Sequence, residues 1–145
     1  MTGVEILPMK TSSISELPTN KNMRPYGYEL ILDLHGCDPG RFNRNSIEEF
    51  FKKLCIQIKM TRCDLHFWDD VGVPLEEQQT SPHTKGTSAV QFILTSTIVI
   101  HTLDLTGAVY VNIFSCNEFD KGVAQAFSIE WFRAEEVQSH FIERL

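Results

Sequence analysis

The stretch TSAVQFILTSTIVIHTLDLTGAVYVNIF, residues 87–114, decides the fold of this chain. β-Branched and other apolar residues dominate it, and two short polar breaks interrupt it, which is typical of antiparallel strands joined by tight turns. The pattern predicts a three-stranded meander with strands at 87–94, 97–103 and 108–114. The turns are then expected at Thr95-Ser96 and at 104–107.

Segments on either side of this meander predict further strands and two helices. Largely apolar runs at 28–35, 60–68 and 137–142 predict strands. Two helices are expected after the caps Asn45 and Asp120. Their inner faces are expected to carry residues at helical spacing, namely Ile47, Phe50, Phe51, Leu54 and Ile58 in the first helix and Val123, Ala126, Phe127 and Trp131 in the second. The sequence therefore predicts an α+β fold, a two-layer α/β sandwich in which both helices lie on one face of a mainly antiparallel sheet.

Length and composition fit one globular domain. The chain has 145 residues, of which 42% are apolar and 22% charged, and a domain of this size buries roughly two-thirds of the surface of its unfolded chain. Residues 1–25 contain many Ser, Thr, Asn and Pro residues and no sustained period, which predicts a loosely ordered leader. The domain proper is expected at 26–145.

Charge and cysteine usage exclude several classes of protein. A formal net charge of −6 argues against a nucleic-acid binder, which needs a basic face for phosphates. No apolar segment reaches the length of about 18 residues that a membrane-spanning helix requires. The cysteines form no Cys-x-x-Cys, and His35-Gly36-Cys37 lacks a second closely spaced ligand pair, so no metal site is predicted. We expect a cytoplasmic protein with free thiols.

Reactive side chains are densest between Ser88 and Cys116, where Ser, Thr, His and Cys residues accumulate. A Ser-His-Asp hydrolase is one interpretation of Ser88, His101 and Asp104. It is disfavoured because the chain has no Gly-x-Ser-x-Gly elbow followed by a helix. Packing within strands is the alternative for any single Ser or Thr of this region.

The order and spacing of this cluster resemble the prokaryotic S-adenosylmethionine decarboxylases, small pyruvoyl enzymes made as self-cleaving proenzymes. The resemblance runs from Gly27 to the C-terminus. It rests on motifs at matching spacing, namely DLHGCD at 33–38, Gly86-Thr87-Ser88-Ala89, the tripeptide Thr95-Ser96-Thr97 where the family has Glu-Ser-His, Ile100-His101-Thr102, and Ile113-Phe114-Ser115-Cys116 followed by Glu118-Phe119-Asp120.

The resemblance implies a role for each matched residue. Ser96 is expected to attack the carbonyl of Thr95, so that the chain is cleaved between residues 95 and 96 and Ser96 becomes a pyruvoyl group. Ser88 and His101 are expected to assist this processing, since an acyl transfer needs a base and an oxyanion donor. Cys116 is expected to return a proton after decarboxylation. The pyruvoyl group condenses with the substrate amine and accepts the electrons released as CO₂ leaves.

The sequence departs from the family pattern at three places. Thr95 and Thr97 flank the expected cleavage serine where the family has Glu and His. The acidic residue that follows Ile-His-Thr and is expected to bind the ribose is displaced by one position, to Asp104, which on a strand would change its face. A longer loop replaces the aromatic-containing loop before Gly-x-Ser, and Trp68 could supply the missing aromatic face.

These observations leave three functions open. The first is decarboxylation of S-adenosylmethionine, which gives the aminopropyl donor for spermidine synthesis. A pyruvoyl decarboxylase of another amino acid, of the arginine or ornithine type, is the second. The third is a catalytically silent homologue that binds or regulates a partner. A homodimer is expected because family members associate and because one face of a two-layer sandwich stays uncovered.

Overall fold

The structure is a computed structural model that describes residues 22–145. Most of the leader expected at 1–25 therefore lies outside the described residues. The elements follow in chain order as β1 (Gly27–His35), α1 (Arg44–Gln57), β2 (Arg62–Trp68), β3 (Ser88–Ile93), β4 (Ser96–Leu103), β5 (Ala108–Ser115), α2 (Lys121–Phe132) and β6 (Glu136–Arg144). Short 3-10 turns at Pro39–Arg41 and Leu75–Glu77 interrupt the connections.

The six strands form one sheet in the order β2-β3-β4-β5-β1-β6, and every neighbouring pair is antiparallel. The meander β3-β4-β5 is joined by short turns, and β1 then inserts between β5 and β6. Inward residues of the strands and both helices form one hydrophobic core. The predicted two-layer α+β sandwich, with its two helices on one face, is confirmed.

The turn between β3 and β4 is displaced by one residue from its predicted place. It consists of Leu94 and Thr95, because Ile93 pairs with Ser96 across the hairpin. Ser96 is therefore the first residue of β4 and not a turn residue. Thr95 has a φ of 59°, in the left-handed region that costs an L-residue on the order of 1–2 kcal/mol. Leu94, the first residue of the turn, has no positive φ, so the left-handed residue stands at the second central position, which usually carries Gly or Asn.

The two helices differ from the predictions in one cap and in one buried face. The side chain of Asn43, not Asn45, accepts a hydrogen bond from the backbone of Ser46 at 2.9 Å, so α1 begins at Arg44. Asp120 caps α2 as predicted. The fully buried stripe of α2 differs from the predicted face and comprises Ala124, Ser128 and Phe132. The predicted residues Phe127 and Trp131 pack at the margin of the core.

The face of the sheet opposite the helices carries no layer within residues 22–145. Alternation along β3, β4 and β5 places on it Ser88, Val90, Phe92, Thr97, Val99, His101, Leu103, Tyr110, Asn112 and Phe114, all half-buried or exposed. We call this surface the uncovered face. None of the helices among the described residues is long and apolar enough to cross a membrane.

The long connection between β2 and β3 is fixed at both ends. Near its start, Asp69 receives two hydrogen bonds from the Arg44 guanidinium, at 2.6 and 2.7 Å. Near its end, the Lys85 ammonium lies 3.2 Å from an Asp70 carboxylate oxygen. Gly86 follows, and a Cβ there would lie 1.7 Å from the carbonyl oxygen of Thr102. Only glycine allows the chain to enter β3 this close to β4.

Candidate active site

The first group of candidate residues lies at the turn end of the β3–β4 hairpin and consists of Thr95, Ser96 and Cys116. We call it the turn cluster. The backbone N–H of Cys116 donates to Ser96 Oγ at 3.0 Å. Thr95 Oγ1 lies 3.1 Å from Cys116 Sγ and donates to the carbonyl of Leu94 at 2.7 Å. β5 ends beside the start of β4, so the residue that follows Ser115 reaches the turn.

The thiol of Cys116 differs electrostatically from the buried thiols of the chain. Hydrogen bonds from Thr95 and then from Ser96 hold the pKa of Cys116 below its ordinary value. Burial has the opposite effect on Cys37 and Cys55 and raises the pKa of each to about 11. Those two thiols therefore stay protonated and unreactive, whereas Cys116 can exchange a proton.

The second group lies on the uncovered face and centres on Ser88 and His101. The two residues are directly paired across β3 and β4, and Ser88 Oγ lies 2.8 Å from His101 Nδ1. Thr87 and Thr102, the neighbours on the opposite face, hold the two strands together through backbone and hydroxyl hydrogen bonds. The structure thus forms a Ser-His pair of the kind that can transfer a proton.

The two groups are well separated within one chain. His101 follows Ser96 by five residues on β4, which is roughly 16 Å along a strand. An odd separation also points the two side chains to opposite faces, and Ser96 is buried towards the helices while His101 is exposed. A single chain therefore does not bring its Ser88-His101 pair to the Thr95–Ser96 bond.

The two expected substrate-binding residues lie in separate depressions. Trp68 shares one with Ser88 and His101, whereas Asp104 borders another with Asp70 and Lys85. Trp68 pairs with Ser88, is 59% exposed, and lines a depression that also contains His101 and Tyr110. Asp104 lies in the turn after β4, so the alternation expected for a strand position does not apply to it. Burial, as the largest cause, raises the pKa of the Asp104 carboxyl.

Beside the turn cluster, the uncovered face forms a shallow depression with aromatic walls. Phe92, Thr97 and Phe114 lie side by side on three neighbouring strands. The depression is lined by these three residues together with Cys63, Ile93, Thr95 and Ser96. The Thr95–Ser96 peptide bond is thus approached from the uncovered face. This lining contains no carboxylate.

Two features of the site were not predicted from the sequence. The contact between Thr95 and Cys116 depends on the left-handed conformation of Thr95. The sequence gives no sign of this conformation, because turns with a positive φ usually contain Gly or Asn. The register that pairs Ser88 with His101 could have been derived by placing the turn at Leu94-Thr95. Residues 22–145 contain no group of three or more His, Cys, Asp or Glu residues arranged to hold a metal ion.

Comparisons with known proteins identify the family of the chain. The chain matches the family model of S-adenosylmethionine decarboxylase over residues 28–145. It is similar to the crystal structure of the adenosylmethionine decarboxylase from Aquifex aeolicus VF5, with a TM-score of 0.66 and 20% sequence identity over 84% of this chain and 92% of that one. No curated protein sequence matches the chain. The family match covers every residue of the turn cluster and of the Ser88-His101 pair, and the chain belongs to the S-adenosylmethionine decarboxylase family.

Proposed function

We propose that this chain is a pyruvoyl-dependent decarboxylase of S-adenosylmethionine that matures by cleavage of its own Thr95–Ser96 bond. The observation that carries the proposal is the turn cluster. A serine hydroxyl follows a residue in a strained left-handed conformation, a backbone N–H holds that hydroxyl, and a thiol of lowered pKa lies beside it. These are the groups that an acyl transfer followed by a proton transfer requires.

The maturation step uses only groups of the chain and water. Ser96 Oγ bonds to the carbonyl carbon of Thr95, the amide C–N bond breaks, and the nitrogen takes the proton of the hydroxyl. Loss of the Ser96 α-proton then breaks the Cβ–O bond of the ester, and Thr95 leaves as a carboxylate. Water converts the remaining dehydroalanine into the pyruvoyl group and ammonia. The N–H of Cys116 orients the attacking oxygen.

A second copy of the chain is proposed to complete the site. The base for this reaction is absent from the turn cluster, while a Ser-His pair stands exposed on the uncovered face. The end of the β3–β4 hairpin that carries Ser88 and His101 is its open end, opposite the turn. When two uncovered faces pack about a twofold axis perpendicular to the strands, the strands of the two copies run in opposite directions, and the turn end of one copy meets the open end of the other. The partner's His101 then faces the Thr95–Ser96 bond, which borders the depression on this face. A dimer in light scattering is the expected result.

In the mature enzyme, the pyruvoyl group at position 96 would condense with the substrate amine and accept the electrons released with CO₂. Cys116 is proposed to return the proton to the carbon that loses CO₂, since it lies beside position 96 and the hydrogen bond from Thr95, as the largest cause, lowers the pKa of its thiol. Phe92 and Phe114 favour a sulfonium substrate, because aromatic faces attract such a cation. A diamine-forming substrate would call for a carboxylate there.

Intact-mass analysis of the purified protein tests the proposal. The expected result is two fragments, residues 1–95 and residues 96–145, the second with a blocked N-terminus. The fragments should stay together in the native state because β3 and β4 remain paired. A single chain of 16.6 kDa that persists on long incubation contradicts the proposal and favours the silent homologue. In the cleaved protein, CO₂ release from S-adenosylmethionine should exceed release from arginine, ornithine and lysine, and Cys116→Ala should abolish it.

A further inference from the structure

We propose that the hydroxyl of Thr95 is the positioning group for the Cys116 thiol, the proton donor of the reaction proposed above. The inference rests on that proposed function for its catalytic meaning, but the contact itself does not. Thr95 Oγ1 lies 3.1 Å from Cys116 Sγ, and its hydrogen bond affects this thiol more than that of Ser96, the other side-chain partner. No role other than that of the residue before the cleaved bond was expected for Thr95.

The hydroxyl can bond the sulfur in both of its protonation states. A threonine hydroxyl has one proton and two acceptor lone pairs and rotates freely. While the thiol is protonated, S–H donates to Oγ1 and the hydroxyl donates to the Leu94 carbonyl, which lies 2.7 Å away. After the S–H bond has broken and its proton has bonded to carbon, the electron pair stays on sulfur. The hydroxyl then turns from Leu94 to donate to the thiolate.

The second of these hydrogen bonds is the stronger, because a charged acceptor strengthens it about twofold. Thr95 therefore stabilises the thiolate more than the thiol. This agrees with the lowered pKa of Cys116, for which the Thr95 hydrogen bond is the largest cause. A thiol with a pKa closer to neutrality transfers its proton faster, provided that it is protonated at the working pH.

The backbone of Thr95 fixes the direction of the hydroxyl. With φ at 59°, the residue closes the β3–β4 turn, and the turn is attached to both strands through the pairing of Ile93 with Ser96. The proposed cleavage breaks the bond on the carbonyl side of Thr95 and leaves its side chain intact. The hydroxyl is therefore present in the precursor, where the closed turn fixes it, and in the cleaved protein, where Thr95 stays attached to β3 alone.

The test compares Thr95→Val with Thr95→Ser. Valine keeps the β-branched shape and removes the hydroxyl, whereas serine keeps the hydroxyl. The reactivity of Cys116 towards iodoacetamide is followed between about pH 6 and pH 10 by mass spectrometry of its peptide. Cys63, an exposed thiol in the same protein, is the internal control. This readout does not depend on the pyruvoyl group.

We expect the pH midpoint of Cys116 alkylation to move upward in Thr95→Val, and its rate near neutral pH to fall by about three- to tenfold, the effect of one lost hydrogen bond. Thr95→Ser should behave as the unchanged protein, and Cys63 should not respond in either variant. In cleaved protein, Thr95→Val should lower kcat and leave KM unchanged. If Thr95→Val unfolds, Thr95→Ala makes the same comparison with less crowding at the turn.

An unchanged Cys116 profile in a folded Thr95→Val protein would overturn the inference, and so would a Thr95→Ser profile that matches Thr95→Val. These outcomes differ from failure of the proposed function. If the unchanged protein never cleaves, the proposed function fails, yet the alkylation profiles still decide whether Thr95 acts on the thiol.

Discussion

At the turn end of the β3–β4 hairpin, the reactive groups are held by the backbone, whereas at its open end they stand on an exposed face. Ser96 is 7% exposed and receives a backbone N–H, but has no base beside it. Ser88 and His101 form a ready pair for proton transfer, but have no scissile bond beside them. Each end has the group that the other end lacks, and this difference supports the proposal that two copies of the chain share one site.

The largest expected effect is at the turn end. Ser96→Ala should abolish cleavage entirely, because the nucleophile is gone, while the loss of one hydrogen bond to Cys116 should cost only about 1 kcal/mol of stability. Intact mass after prolonged incubation measures the cleavage. Ser128→Ala is the matched control, since Ser128 is a buried serine of α2 away from the turn cluster. Cleavage of Ser96→Ala at the same bond would place the nucleophile elsewhere.

A large effect is also expected at the open end. His101→Ala should slow cleavage by about 100-fold or more, the usual contribution of a positioned base, although this residue is roughly 16 Å along β4 from Ser96. The time course of intact mass gives the rate. His140→Ala, an exposed histidine on the distant strand β6, should cleave normally. If the His101→Ala protein is cleaved at the unchanged rate, the open end takes no part in the cleavage reaction.

A moderate effect is expected from relief of the turn strain. In the uncleaved Ser96→Ala background, Thr95→Gly should raise the free energy of unfolding by about 1 kcal/mol, because glycine adopts a positive φ without crowding. Urea unfolding measures the change. Lys59→Gly, where φ is 58° at the end of α1, should give a similar gain. With Ser96 present, only Thr95→Gly should alter the cleavage rate; equal rates would show that the strain has no part in the reaction.

The smallest effect is expected at the loop that borders the open end. The Arg44 guanidinium lowers the pKa of Asp69, so the pair stabilises the fold above the unfolded pKa of the carboxyl, and this contribution is lost as the pH falls through the lower folded value. Asp69→Asn should reduce the unfolding free energy by about 1 kcal/mol at neutral pH. The difference should begin to shrink as the pH falls below the ordinary value of 3.8 and should vanish below the lowered folded pKa. A difference that persists unchanged in acid would exclude the ion pair as its cause.

The sequence predicted the fold more fully than the site. The pattern of apolar residues and polar breaks in residues 87–114 was sufficient to predict the meander. Asp120 was sufficient to predict the start of α2. Both signals are local in the sequence. The inner stripe of α2 was predicted incorrectly because Val123, Phe127 and Trp131 follow the same four-residue spacing as the buried residues Ala124, Ser128 and Phe132. The register between β3 and β4 depends on which residues form the turn. Because the turn was predicted one residue too late, at Thr95-Ser96, the pairing of Ser88 with His101 was not predicted.

The main candidate residues were proposed from motif spacing, but their separation into two groups in space was not predicted. Ser88, Ser96 and His101 are close in sequence, which suggests a single cluster, and only the length of a strand separates them in space. The contact of Thr95 with Cys116 depends on a left-handed backbone that a threonine does not predict. Such features follow from the assembled sheet and not from any window of the sequence.

Complementation between two variants tests the division of the site most directly. A tagged Ser96→Ala chain, which keeps Ser88 and His101, is co-expressed with an untagged His101→Ala chain, which keeps Ser96, and mixed dimers are purified through the tag. The account predicts that the His101→Ala chain is cleaved after Thr95 in the mixed dimer but not when it is expressed alone, and that the Ser96→Ala chain stays whole. Mixed dimers in which both chains remain uncut would contradict the claim that two copies share the site.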